Sequence, residues 1–427
     1  VYMRRTRVNQ ETPFGAVRMA VIDISLNSVK LLISTKQLNA KIDFDKDEST
    51  INLLSKTLRT KGVIDGEALD ILLEITDQYL AVALKYCEPR FTKIISTEVL
   101  SESKNKKEII RKIEEIWFER VEYALRERVK LWEKEMRKPK KLSEKSTSAK
   151  DPDKVRKDFE KFKNNVSEKY NLSLEEFLDD TALVKKYVRE EHKPEIIVYS
   201  KTESTKLYYG LILNDIQKSQ AKKYSPNSTI VDLTGDSLRI VQCKNGKIIS
   251  DEDLSIGILS YTSKYVKDGN VEKKMIPQIK APAKQFFEKN KKVEIPENLV
   301  FIGGSAINLA RICREVPVTR SNDVHGYEIE RADLHTLLEG MCALTYKKRN
   351  TLIGLQEGRQ NTILSACVIL LEFMESVGAE KAVLSTYGLR HKVIIDMLEK
   401  NFATEKAKRE LEEYEAKVAE YNKVLNS

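Results

Sequence analysis

Two stretches decide how this chain is read: AVIDISLNSVKLLI at residues 20–33 and TIVDLTGDSLRIVQ at residues 229–242. They are copies of one pattern. Asp23 matches Asp232, Ser28 matches Ser237 and Lys30 matches Arg239, while Ser25 stands opposite Thr234 and Asn27 opposite Asp236. Only Leu26 against Gly235 breaks the chemistry. In each copy an apolar run carries an aspartate near its end, a short polar break follows, and a second apolar run begins; this is the pattern of strand, tight turn and strand. Such a turn presents backbone N–H groups and hydroxyls, which bind anionic oxygens. The aspartate is able to hold Mg2+ through water, because hard cations take oxygen ligands. A repeat separated by about two hundred residues implies two related α/β domains, expected to face each other across a cleft with a phosphate chain between them.

Working outward, residues 41–53 supply a possible third strand of the first sheet, and Asp65-Gly66 opens an amphipathic helix through Tyr86. Strands are predicted at Phe91–Thr97 and over EIIVYS at 195–200, with a helix from Thr202 to Ile212. Residues 229–256 read as a meander with a hairpin at Asn245-Gly246. Residues 299–311 read as strand, Gly303-Gly304 turn and helix; beyond them the chain is mostly helical, with one strand at Ala382–Ser385. Between 104 and 194 lies a charged helical insertion, in which Ile109, Ile113, Trp117, Val121 and Leu125 recur every four residues. A Lys-, Ser- and Asp-rich breaker at 138–154 divides it and reads as a mobile loop. The expected organisation is a first domain over 1–210 interrupted by that insertion, a second over 211–400, and a charged amphipathic helix over 401–427.

At 427 residues the chain exceeds one ordinary core. Its net charge is +9, and the insertion alone, with 26 Lys/Arg against 20 Asp/Glu, accounts for +6 of it. The excess therefore sits away from the repeated hairpins. The basic run at 126–141 reads as a solvated helix face and loop, so nucleic acid is not an expected partner. No run of about 18 apolar residues is present, so no membrane span is expected, and Val1–Gln10 lacks the apolar stretch of a secretory signal. The five cysteines form no CxxC pair and the four histidines fall in no metal-ligand spacing. The expectation is a cytoplasmic protein with reduced thiols.

Several segments together resemble the exopolyphosphatase / guanosine pentaphosphate phosphohydrolase (Ppx/GppA) family of the actin-like superfamily. DISLNSVKL at 23–31 and DLTGDSLRI at 232–240 resemble its two phosphate hairpins. TEVLSESKN at 97–105 is similar to its Thr-Ser-Ala-Leu-Arg-Glu-Ala-X-Asn stretch, and YSKTES at 199–204 to the segment that carries its base. Ser255-Ile256-Gly257, Arg359 at a helix start and Gly388-Leu389-Arg390-His391 follow in the family's order. The resemblance runs from about Ala16 to Lys400, outside the insertion. It implies two actin-like (ribonuclease H-like) domains flanking a cleft, and Mg2+-dependent removal of the terminal phosphate from polyphosphate or guanosine pentaphosphate. By position it implies Glu203 as catalytic base with Asp232, and Mg2+ held by Asp23 and Asp232. Phosphate oxygens would be held by Asn27, Ser28, Gly235, Ser237, Gly303, Gly304 and Ser305.

The chain also departs from the family. The three glycines of the second hairpin are Thr234, Gly235 and Asp236, the family's next glutamate is Arg239, and the arginine of the Leu-Arg-Glu stretch is Ser101. The first hairpin has Ser25-Leu26 where the family has Gly-Ser. Side chains in place of glycine narrow a backbone cradle, and a carboxylate repels phosphate. A second expectation therefore stands beside hydrolysis: a degenerate member that binds a phosphorylated ligand or a protein without turnover, with the insertion as an interaction surface and a homodimer as a further expected assembly.

Overall fold

Both copies of the repeated pattern fold as antiparallel hairpins in the same register. In the computed structural model, which describes residues 16–26, 28–37, 42–52, 54–137, 152–219, 227–266, 270–290, 298–318 and 323–404, each hairpin heads one of two mixed sheets. The predicted helix over 401–427 and the 138–154 breaker fall largely outside the described residues.

The first sheet has five strands in the order β3-β2-β1-β4-β5. They are β1 (Ala16–Ser25), β2 (Ser28–Gln37), β3 (Ile42–Ile51), β4 (Thr92–Ser96) and β5 (Glu195–Val198). Strands β1, β2 and β3 are antiparallel, with Asp23 opposite Lys30; β4 and β5 then add in parallel to β1. Parallel additions need crossovers. The first is made by α1 (Gly66–Tyr86), with Glu67 in its first turn and Lys85 in its last, the polarity that a helix dipole favours.

The insertion supplies the second crossover. Helix α2 (Lys106–Met136) lies on α1, and α3 (Pro152–Tyr170) and α4 (Thr181–Glu191) pack on α2. The four-residue spacing read from the sequence is the buried face: Ile109, Ile113, Trp117 and Val121 are almost wholly buried, joined by Val129. One hydrophobic cluster runs without a break from Ile22 and Leu31 of the sheet, through Leu72 and Tyr79, to Trp117, Phe162 and Phe177. Aromatic edge-to-face contacts among Phe162, Phe177 and Tyr187 close its far end. The insertion is thus an outgrowth of the first core and shares it.

The second sheet has six strands in the order β10-β11-β9-β6-β7-β8. These are β6 (Ser228–Leu233), β7 (Leu238–Lys244), β8 (Lys247–Leu254), β9 (Leu299–Ile302), β10 (Glu328–Glu330) and β11 (Lys381–Leu384). The β7–β8 turn is Asn245-Gly246 with both residues at positive φ, as the sequence predicts. Helix α5 (Lys201–Ser219) packs Tyr209 and Ile212 on one side of this sheet against Ile230, Val241 and Val300. On the other side lie α6 (Ile276–Lys289), α7 (Gly303–Cys313), α8 (Arg331–Cys342) and α9 (Thr362–Val377). Helix α9 is apolar nearly all round because its neighbours enclose it, and Gly378 in the left-handed conformation ends it. No helix among the described residues is long and apolar enough to cross a membrane.

Strand β10 is not foreseen from the sequence. Its three residues, Glu-Ile-Glu, bury only Ile329, and pairing with β11 holds it. The chain divides into two compact units, 1–201 with 393–427, and 202–392. The second unit begins at Thr202 because α5 packs on the second sheet.

Trp117 is the keystone of the shared core, since its indole Nε1 also donates to the His192 carbonyl at 2.7 Å. Trp117→Ala should lower stability by about 3–5 kcal/mol, read as a fall in the denaturant midpoint of the first unit's transition. A change below about 1 kcal/mol would mean that the insertion does not depend on that core.

Candidate active site

In the second unit, the parallel pairing of β6 with β9 sets Asp232 beside Ile302. The chain turns into α7 at the next residue, Gly303. This is the carboxyl end of parallel strands, where open α/β sheets bind ligands. Gly303 has φ +86°, and a Cβ there would run into Asp232 Oδ1. The close approach of carboxylate to backbone therefore requires glycine. A Cβ on Gly304 would come within 2.9 Å of Arg359 Nη2. Asp232, Gly303, Gly304 and Arg359 thus meet at one place, with Ser305 buried just behind in the first turn of α7.

A ring of hydrogen bonds holds Arg359 there. Asn308 is fully buried. Its Nδ2 donates to the Gly304 carbonyl at 2.6 Å and its Oδ1 accepts from the Gln356 N–H at 2.7 Å. Gln356 Oε1 in turn accepts from Arg359 Nε at 3.0 Å. Further along α7, Gly354 at φ +92° lies so close to the Arg311 backbone that no side chain fits. Arg349, fully buried, donates to the carbonyls of Met341, Leu344 and Gln360. Among the described residues Arg359 makes no ion pair, and burial lowers its pKa. A guanidinium in that setting, beside the amide end of a helix, is an attractive environment for an anion. The sequence marks Arg359 at a helix start; Asn308, Gln356 and Arg349 carry no such mark, because their partners lie anywhere from three to about fifty residues away, in no regular spacing.

Arg239 faces Asp232 directly across the β6–β7 hairpin. It forms a two-point pair with Asp251 at 2.7 and 2.6 Å and donates to Thr205 Oγ1 at 2.6 Å. Its guanidinium lies over the Tyr209 ring at 5.7 Å. The buried Tyr209 hydroxyl is pushed well above its ordinary pKa by burial and by the nearby Asp232 charge. The reversed charge at position 239 is therefore neutralised by Asp251, and it pins the start of α5 to the sheet. Glu203 stands in the first turn of that helix, exposed.

The turn of this hairpin is closed on itself. Thr234 Oγ1 accepts the N–H groups of Asp236 at 3.3 Å and Ser237 at 3.1 Å. Ser237 Oγ reaches Asp253 at 3.4 Å. Ile258 N–H and Leu259 N–H take the carbonyls of Thr234 and Gly235, and Gly257 fits against the Asp236 backbone, where a Cβ would collide.

In the first unit, Asp23 is buried at the end of β1 and accepts from Ser25 Oγ at 3.0 Å. Ser96, at the end of the parallel strand β4, donates to the Ile24 carbonyl at 3.0 Å. Ser28 is buried at the start of β2, and Asn27 lies outside the described residues. Asn105, the last residue of the 97–105 stretch, exchanges hydrogen bonds with both backbone groups of Ile64, so its role is to fix a loop. No group of three or more His, Cys, Asp or Glu among the described residues is placed to hold a metal ion.

A model of the Ppx/GppA phosphatase family matches residues 184–401, just over half of the chain. The chain belongs to that family. Solved Ppx/GppA structures share its fold at low identity. One is the Aquifex aeolicus family member, with 17% identity, 90% of this chain and 99% of that chain covered, and a TM-score of 0.58. Another is an exopolyphosphatase from Cytophaga hutchinsonii, with 16% identity, 90% and 98% coverage, and a TM-score of 0.58. A search of curated proteins finds no match. The matched Ppx/GppA segment contains Glu203, Asp232, Gly303–Ser305 and Arg359.

If the Asn308 ring fixes the Gly304–Arg359 approach, Asn308→Leu, of similar volume, should cost about 1–3 kcal/mol, since it leaves the Gln356 N–H without its partner. Asn308→Asp keeps the acceptor but turns a second oxygen toward the Gly304 carbonyl, so it should recover stability only at a pH low enough to protonate its carboxylate. Chemical denaturation of the two variants checks this.

Proposed function

We propose that this protein is a phosphoanhydride hydrolase that removes the terminal phosphate from inorganic polyphosphate or guanosine pentaphosphate. The observation that carries this reading is the meeting of Asp232, the Gly303-Gly304 turn and Arg359 at the carboxyl end of β6 and β9. The terminal phosphoryl group would lie against the first turn of α7, its oxygens facing the turn's N–H groups and the Arg359 guanidinium. Those groups stabilise the charge of a phosphoryl group in transfer. Glu203 takes a proton from the attacking water, a P–O bond forms to that water, and the anhydride P–O bond breaks to release the shortened chain.

The residues suit a hydrated Mg2+ and not a closed carboxylate cage. Mg2+ keeps several waters and uses one or two protein carboxylates, of which Asp232 would provide one. When bound, the ion would neutralise phosphate charge.

A second reading is favoured by the Arg239–Asp251 pair and the closed turn at Thr234–Ser237. It is a member that binds a phosphorylated ligand or a protein partner without turnover.

Phosphate release from long-chain polyphosphate and from guanosine pentaphosphate, with Mg2+, separates the two. Hydrolysis should fall about 100-fold or more in Glu203→Gln with ligand affinity retained. Arg359→Met should weaken binding. Absence of release by the folded wild-type protein from either substrate would favour binding without turnover, and full activity in Glu203→Gln would remove that residue from the mechanism.

A further inference from the structure

The two hairpins of this chain have the same register, yet the second carries a residue that does chemically what a ligand would do. A tight turn binds phosphate by directing successive N–H groups at one oxygen. In the turn Thr234–Ser237 that position is occupied by the Thr234 hydroxyl, which accepts from Asp236 N–H at 3.3 Å and Ser237 N–H at 3.1 Å. The same hydroxyl donates to the Ser237 carbonyl at 3.1 Å. The carbonyls of Thr234 and Gly235 are taken by Ile258 and Leu259. Gly257, pressed on the Asp236 backbone, covers the turn from that side. The Asp236 side chain adds a negative charge within the turn, with Asp253 beside Ser237.

We propose that Thr234 is an internal occupant of the second hairpin, so that this unit holds a single phosphoryl group, at Gly304 and Arg359, and excludes a further phosphate from the turn. Thr234 is then a specificity-determining residue. Ligands that present one terminal phosphoryl group to this unit are accepted, and those that need consecutive phosphates seated in the hairpin are rejected. This deepens the reading of the preceding section and rests on its assignment of phosphate to the α7 turn. It also removes Gly235 and Ser237 from the phosphate-holding set implied by their sequence positions.

The test uses the full chain and tripolyphosphate. Amide hydrogen exchange over residues 234–237 and calorimetric affinity are measured for wild type, Thr234→Ser, Thr234→Gly and Thr234→Gly/Asp236→Gly. Exchange at Asp236 and Ser237 should be slow in wild type and unchanged by tripolyphosphate. Both amides should exchange faster in Thr234→Gly. The double variant should bind at least about tenfold tighter than wild type and slow these two amides on binding, whereas Thr234→Ser, which keeps the hydroxyl, should keep the wild-type affinity. Slowing of these amides by tripolyphosphate in wild type would overturn the proposal, as would a folded double variant with no gain. A gain in the double variant alongside a wild type that hydrolyses nothing would sustain the Thr234 assignment and discard hydrolysis. Loss of binding in Arg359→Met tests the α7 assignment separately.

Discussion

Much of the second unit follows from one pairing. Because β6 and β9 run parallel with Asp232 level with Ile302, the residue after β9 has to turn within reach of a carboxylate. Only a residue without a side chain, at positive φ, fits there. The helix that follows starts with its free N–H groups at the same spot. Carboxylate and helix end are then two consequences of a single register, and the Asn308–Gln356 ring brings the guanidinium to the same spot.

The fold was legible because its deciding features are local. An aspartate near a strand end, a polar break and a second apolar run describe a hairpin in about fourteen residues, and both copies form it. The four-residue spacing from Ile109 to Leu125 marks one buried helix face for the same reason. Strand β10 was not legible, because three residues carry no period and its pairing partner lies some fifty residues later. The candidate site was legible where an aspartate closed a repeated strand and where glycine spoke for geometry. Gly303 and Gly304 announce a close approach, but the sequence does not say what approaches. That Asp251 neutralises Arg239, or that Asn308 bridges two segments, depends on tertiary distances that no spacing encodes.

The charge-rich insertion illustrates how composition can hide a shared core. Its surface holds Lys, Arg and Glu in close helical pairs such as Arg126–Glu122 and Lys130–Glu127, which contribute little to stability. Its inward face is aliphatic and aromatic, and continuous with the first sheet's core. The length of α2 is therefore a means of extending one core outward, since the helix carries the same stripe over Trp117 to Val129.

Arg349 has a consequence for how such a chain diverges. Its guanidinium shapes the segment between α8 and α9 through the carbonyls of Met341, Leu344 and Gln360. A carbonyl is present whatever side chain the residue bears, so the residues around this anchor are released from selection for a particular hydrogen-bonding side chain. Substitutions in the loop should then leave its path unchanged. Two solved structures share only 17% and 16% of their residues with this chain and yet share its fold; anchoring on the main chain is one physical means by which a path outlasts its sequence.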